Sequence, residues 1–295
     1  MPSENVNSGL NPEPASDVIY AVNSGTGFSP IAPTEMTQAT LSAEAPVSLQ
    51  KKERKKLILR QINIHTRLMF ADLVKLIDVS EDTIRRDVNE LADEAQVIRI
   101  KGGAMAASYH AGQESRTYSQ DDKSIIAQKT IALLKDDVIV LTGGGTTIRE
   151  FIKQIPDTLR ATFITVNPMT AVALMDKPLI KTIMIGGCLS AYSQMVVSGE
   201  VFSSLANIKA DLCILGINAI DSDTGLTDSD WETIQVKKAM MKAADKIAVL
   251  TISEKLNSTM QMKIADINEI DYLITELDSD DKQLQAYQAK NITIL

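Results

Sequence analysis

Cysteine, histidine and aromatic side chains are all scarce in this chain of 295 residues. The two cysteines, Cys188 and Cys213, cannot build a disulfide framework, and with only His65 and His110 beside them no zinc cluster can be spelled. Aromatics make up 4%, too few for a platform that stacks single-stranded nucleic acid. No run nears the roughly 18 consecutive apolar residues of a membrane span, so no membrane partner is expected. The N-terminus lacks the basic start and apolar core of a secretory signal, which makes the cytoplasm the expected compartment. No motif implies a cofactor or a metal.

What remains is ordinary globular composition, 44% hydrophobic and 23% charged, in a chain long enough for a small domain joined to a medium one. The net charge of −8 taken alone argues against nucleic acid, but its distribution reverses that. Residues 1–50 carry five acids and no Lys or Arg, whereas 51–105 carry twelve bases against nine acids. The remainder is acidic again, with eighteen bases and twenty-four acids. A compact basic piece beside an acidic body is the footprint of a nucleic-acid module attached to something else, although a charged helical surface gives a similar count.

Residues 1–47, rich in Ser, Asn, Thr, Pro and Gly, have no sustained apolar period and read as a disordered tail. Residues 48–106 read as three helices and a wing. The first helix spans roughly Leu49 to Asn63, led by the basic cluster Lys51 to Lys56. The second, Met69 to Ile77, places Phe70, Leu73, Val74 and Ile77 on one face. Ser80 is an N-cap for the third, with Glu81 and Asp82 in its first turn, where the helix dipole favours acids. Ile84, Val88 and Leu91 form its apolar face, and Thr83, Arg85, Arg86 and Asn89 lie opposite. Val97 to Ala104 then alternates as a hairpin would.

Two short helices and a tight turn make a helix-turn-helix able to enter the major groove. Arg reads guanine bidentately, Asn reads adenine, and Lys or Arg grips phosphate. The candidate contacts to a double-stranded DNA operator are Ser80, Thr83, Arg85, Arg86 and Asn89, with Arg99 and Lys101 on the wing. A plain three-helix bundle with solvated arginines fits the same pattern.

The string Val79-Ser80-Glu81-Asp82-Thr83-Ile84-Arg85-Arg86-Asp87, followed by Arg99 to Ala104, resembles the DeoR family of bacterial transcriptional regulators. The resemblance covers about residues 48–276. Lys101 stands where the family usually has histidine, and Ala95 where it usually has a glycine before the wing. The likeness implies a winged helix-turn-helix and a homo-oligomer, dimer or tetramer. It further implies a repressor of a sugar-metabolism operon, controlled by a phosphorylated sugar.

Beyond a linker at 107–123 the period changes. A helix near Ser124 to Leu134 precedes the strand Val138 to Leu141, and strand-like runs recur at 162–165, 182–185, 212–215, 247–250, 272–275 and 292–295 with helical patterns between most of them. This predicts an α/β domain over 124–295 with a mostly parallel sheet covered on both faces. By resemblance it is a sensor domain similar to ribose-5-phosphate isomerase and glucosamine-6-phosphate deaminase.

Gly143-Gly144-Gly145-Thr146-Thr147 follows a strand and opens a helix, so free backbone N–H groups and two hydroxyls suit a phosphate. It lacks the Lys of a Walker A loop and the third Gly of a dinucleotide fingerprint. A tight turn without a ligand is the alternative, and the family's usual Asp-Ser is here Gly143-Gly144. The resemblance assigns further effector contacts to Asn167, Gly186, Gly187, Gly225, Thr227, Glu232, Lys237 and Lys255. Lys237 reads equally as a surface residue of an amphipathic helix, Trp231 as core ahead of a lid, Cys188 as a loop thiol and Cys213 as a buried strand thiol. The rival from another class is a sugar-phosphate isomerase or deaminase, which needs a carboxylate to shuttle a proton. Asp221, Asp223, Asp228, Asp230 and Glu232 crowd one stretch and could supply it. The basic module discriminates, since an isomerase has no use for it.

Overall fold

The computed structural model describes residues 50–107 and 118–295. The tail at 1–47 and the middle of the linker, 108–117, lie outside the described residues.

The first body comprises α1 (Lys51–His65), β1 (Arg67–Met69), α2 (Phe70–Ile77), α3 (Glu81–Asp93), β2 (Val97–Ile100) and β3 (Gly103–Ala106). Ile58, Ile62, Leu73, Ile84, Val88 and Leu91 meet in its core, which is why the apolar positions of the three helices recur at helical spacing. The Ser80 side chain accepts from the Thr83 N–H and starts α3. The wing has three antiparallel strands in the order β1-β3-β2 rather than the expected two. Three residues of β1 are too few to register as a period. The first helix runs to His65, not Asn63, because Thr66, with φ of 67°, is where the chain leaves the helix.

The second body continues with α4 (Gln120–Ile131), β4 (Val138–Thr142), α5 (Thr146–Gln154), β5 (Ala161–Thr165), α6 (Pro168–Met175), β6 (Ile180–Met184) and α7 (Gly199–Leu205). Then come β7 (Ala210–Gly216), β8 (Ala219–Asp221), β9 (Gly225–Asp228), α8 (Trp231–Lys242), β10 (Ala244–Leu250), β11 (Met262–Ala265), β12 (Tyr272–Ile274), α9 (Gln285–Gln288) and β13 (Thr293–Ile294). Helix α4 starts at Gln120, ahead of the expected Ser124, with Asp121 and Asp122 in its first turn, so the expected boundary at 124 falls inside a helix.

Seven strands form one parallel sheet in the order β13-β12-β10-β7-β4-β5-β6. Alternate residues of its central strands serve two separate cores. Leu141, Cys213, Leu215 and Val249 face one, while Val140, Leu212, Ile214 and Ala248 face the other. A small antiparallel sheet, β11-β9-β8, is an addition the sequence pattern did not announce. From β4 the chain moves outward to β5 and β6, then returns to the far side of β4 as β7. That reversal opens a crevice between β4 and β7 at their carboxyl ends, the place where open α/β sheets bind ligands.

Candidate anion pocket and nucleic-acid interface

A cavity of about 110 Å³ occupies that crevice. One water needs roughly 10–15 Å³ of such space, so it has room for a small polar molecule rather than a single solvent site. Its floor is the turn Gly143 to Thr147, where β4 ends and α5 begins. Gly145 has φ of 117° and ψ of 165°, a backbone region essentially confined to glycine. A Cβ on Gly144 would lie 2.2 Å from Asn167 Nδ2, so the backbone runs flush against that side chain. The opening N–H groups of α5 have no partner within the helix and carry the positive end of its dipole.

Cationic groups gather around this turn. Lys237 from α8 donates to Asp228 Oδ2 at 2.9 Å, and both are buried. The other Asp228 oxygen accepts from Asn218 Nδ2 at 3.0 Å and from the Ser229 N–H at 2.8 Å. Burial alone would raise the Asp228 pKa; the Lys237 charge and these hydrogen bonds outweigh it and hold the carboxyl below its usual range. Lys255, from a one-turn helix at Ser253–Lys255, donates to the Ile217 carbonyl at 2.8 Å. Burial, then the charges of Lys123 and Lys237, push its pKa down to about 7.

The remaining wall comes from the first body, through His65, Thr66 and Arg67. His65 Nδ1 lies 2.8 Å from the Asn218 carbonyl, which can only accept, so the ring donates from Nδ1. Burial, then Lys255, lowers its pKa to about 4 and keeps the ring neutral. Buried Arg67 donates from Nη1 to the Ala191 carbonyl at 2.8 Å, and its guanidinium lies 5.5 Å from the centre of the Tyr192 ring.

Outside the cavity lining, α3 and the turn between β2 and β3 carry the expected DNA contacts. Arg85 is paired with Glu81 at 2.5 Å and stacked 4.7 Å over the Phe70 ring, so its guanidinium is held in place. Arg86, Asn89 and Lys101 are exposed. Arg99 reaches back to Asn89 Oδ1 at 3.3 Å and ties the wing to α3. Asp87 is buried and accepts from Arg54 Nε at 2.6 Å, which makes it a structural member of the arginine motif. Part of the basic cluster on α1 is engaged within the body at its surface, where Lys51 and Lys55 pair with Glu90 and Glu94.

Two family models fit this architecture. A DeoR-like helix-turn-helix domain matches residues 54–109, and a DeoR C-terminal sensor domain matches 119–277. The chain belongs to the DeoR family. The DeoR-family members it resembles include the transcriptional repressor GlcR of Bacillus subtilis, 30% identical over 77% of this chain and 89% of that one. The transcriptional regulator GolR of Listeria innocua is 27% identical over 76% of this chain and 90% of its own length. This DeoR-family chain is accordingly a DNA-binding regulator of transcription with a sensor domain. Among solved structures, ribose 5-phosphate isomerase A from Methanocaldococcus jannaschii matches with a TM-score of 0.36 and 18% identity, over 46% of this chain and 54% of that one.

Of the effector contacts expected in this DeoR-family chain, Gly143 to Thr147, Lys237 and Lys255 come together in the cavity. The others stand outside its lining. Asn167 caps α6 by accepting from the Thr170 N–H at 3.0 Å, and its Nδ2 donates to the Gln194 carbonyl at 2.8 Å, so it buttresses the glycine turn from behind. Gly186 and Gly187 follow β6, Gly225 (φ of 87°) turns between β8 and β9, buried Thr227 accepts from the Met260 N–H, and Glu232 is exposed. Trp231 is 63% exposed at the start of α8 rather than core, because that helix buries Ile234, Val236, Lys237, Met240 and Met241 instead. Cys188 is exposed and Cys213 buried, as read. The cavity residues that sequence reasoning missed are chiefly His65, Arg67 and Asn218. Among the described residues no cluster could hold a metal ion and no helix is long and apolar enough to cross a membrane.

Proposed function

We propose that this protein is a repressor of a sugar-metabolism operon whose grip on an operator is set by a phosphorylated sugar bound in the cavity at β4 and β7. The observation that carries the reading is the glycine turn at the α5 N-terminus facing Lys237 and Lys255 across one small cavity. Free N–H groups at a helix start favour an anion, and Lys237 and protonated Lys255 add charge of the same sign. The α3 and wing surface supplies the DNA contacts, with Thr83, Arg85, Arg86 and Asn89 toward base edges and Lys101 and Arg99 toward phosphate. Ser80, whose hydroxyl already serves the cap, belongs to the phosphate-facing end of the helix.

A sensor is favoured over an isomerase by the condition of the carboxylates. Asp221 accepts from the Asp223 and Thr224 N–H groups, Asp223 pairs with Lys290, and Asp230 caps α8. Asp228 alone of the five lines the cavity, and its pKa is depressed by the partners that hold both its oxygens. A base so stabilised in its charged form is a weak proton shuttle.

The test is a thermal-shift titration with glucose 6-phosphate, glycerol 3-phosphate and inorganic phosphate on the wild type and Thr146→Asp. Aspartate in the first turn of α5 suits the helix dipole, so the variant should fold as stably as the wild type or better. Its carboxylate would stand where the phosphate belongs, and the ligand-induced rise in melting temperature should vanish. Equal shifts in both proteins would place the effector elsewhere. Proton exchange at C2 of a sugar phosphate, lost in Asp228→Asn, would move the protein to the enzyme class.

A further inference from the structure

The cavity is walled by two functional modules, and the wall from the DNA-binding body is well built. Ile64 of α1 lies in a core of the sensor domain, with Phe151 and Ile214. His65 is fastened to Asn218 after β7, and Arg67 to Ala191 in the loop that carries Tyr192 and Ser193. The one-turn helix that sends Lys255 to the cavity also carries Glu254, which accepts from Arg60 of α1 at 2.6 Å and from the Tyr118 hydroxyl at 2.6 Å. A ligand in this space is therefore within reach of a cation from the DNA-binding body itself.

We propose that Arg67, the first residue of β1, is an effector-binding residue, so that a bound phosphorylated ligand is held jointly by the sensor domain and the DNA-binding body. The inference rests on the anion-site reading above and extends it. Arg67 lies in the segment that leads from α1 into the wing sheet, where it pairs with Met105 of β3. Its guanidinium spreads charge over a planar fork suited to phosphate oxygens. It lines the same cavity as the α5 N-terminus, and the two supply positive potential from different modules. Binding then favours the docked arrangement of the DNA-binding body over any arrangement that withdraws Arg67, by the difference in affinity between the two. No separate relay through the sensor core is required.

The experiment is hydrogen exchange on the full chain in potassium phosphate against potassium chloride of equal ionic strength. Exchange should slow at Gly143 to Ile148 and also at His65 to Met69. Slowing at the glycine turn alone would overturn the proposal while leaving the anion site intact; no slowing at either segment would remove the anion site itself. Calorimetric titration with phosphate adds two variants. Arg67→Ala should weaken binding about tenfold, as expected for a lost charge-assisted contact, with part of the loss restored by Arg67→Lys. Arg60→Ala loosens the same inter-module seam outside the cavity but removes no ligand contact, and should weaken binding far less than Arg67→Ala. Equal weakening by Arg60→Ala and Arg67→Ala would show that docking alone matters and that Arg67 touches no ligand.

Discussion

Lys255 sits at about pH 7 in its own titration because burial and the charges of Lys123 and Lys237 oppose its proton, with only Asp228 drawing the other way. An anion arriving in the cavity reverses that balance. The sign follows directly: the ligand raises the Lys255 pKa, so between the free and bound values the complex holds more protons than the free protein. Binding above pH 7 should therefore take up a proton, and affinity should fall as pH rises through that window. Calorimetry in two buffers of different ionisation enthalpy at pH 8 measures the uptake, which Lys255→Gln should remove. His65 does not contribute there, because its pKa of about 4 keeps it neutral throughout. Gly145 shows the other constraint at this scale. With φ of 117° it admits no side chain without strain, so charge is better introduced at Thr146, whose backbone is already helical.

At the scale of single elements, the turn between α3 and β2 carries a built-in strain. Ala95 has φ of 57°, in the left-handed region where a Cβ crowds the following carbonyl. Ala95→Gly should stabilise the protein by about 0.5–1 kcal/mol, the relief of the Cβ less the extra freedom glycine brings to the unfolded chain. Urea unfolding of the full chain gives the comparison, and a midpoint that fails to rise would mean the turn accommodates the methyl. Helix α3 divides its own labour. Arg85, held by Glu81 and Phe70, is the residue we assign to a base edge, and on that reading Arg85→Ala should lose discrimination between operator and random duplex on the order of 1–3 kcal/mol. Lys101, exposed at the wing turn, should act on every duplex alike. Lys101→Ala should lower the salt slope by about one unit without changing sequence preference. A loss of preference in the wing variant, or none in the helix variant, would exchange the two roles.

Across the whole molecule, α6 and the edge strand β6 leave an apolar face uncovered, with Val172 58%, Met175 76%, Leu179 46% and Met184 43% exposed. We propose that copies of the chain associate through this patch, as the dimer or tetramer implied by the family resemblance requires. Met175→Glu should reduce the sedimenting mass, whereas an unchanged mass would assign assembly to another face. The sequence was informative where structure is local: the three helices of the first body, the parallel strands and the glycine turn all follow from periodicity and residue type. It was silent where structure depends on docking. Nothing in the period around His65 and Arg67 foretells that they border a cavity belonging to the other module. Lys237 left both readings open in the sequence, and its burial beside Asp228 removes the surface one. Trp231 misled because size and apolarity suggest core, while its place at the first position of α8 turns it outward. The strands β8, β9 and β11 are too short for their alternation to stand out.

The hydrogen bond from His65 to Asn218 joins residues 153 apart in the chain. The DNA-binding body has a core largely of its own and is synthesised first, so we expect it to fold while the rest of the chain is still being made. Its partner carbonyl emerges later, by a delay on the order of 8–30 s at ordinary rates of synthesis. During that interval each new molecule presents a finished recognition helix without the cavity that would govern it. Nascent chains arrested before Asn218 should accordingly hold operator DNA with an affinity indifferent to sugar phosphates, and acquire their response only once the chain through Lys255 has emerged and closed the cavity.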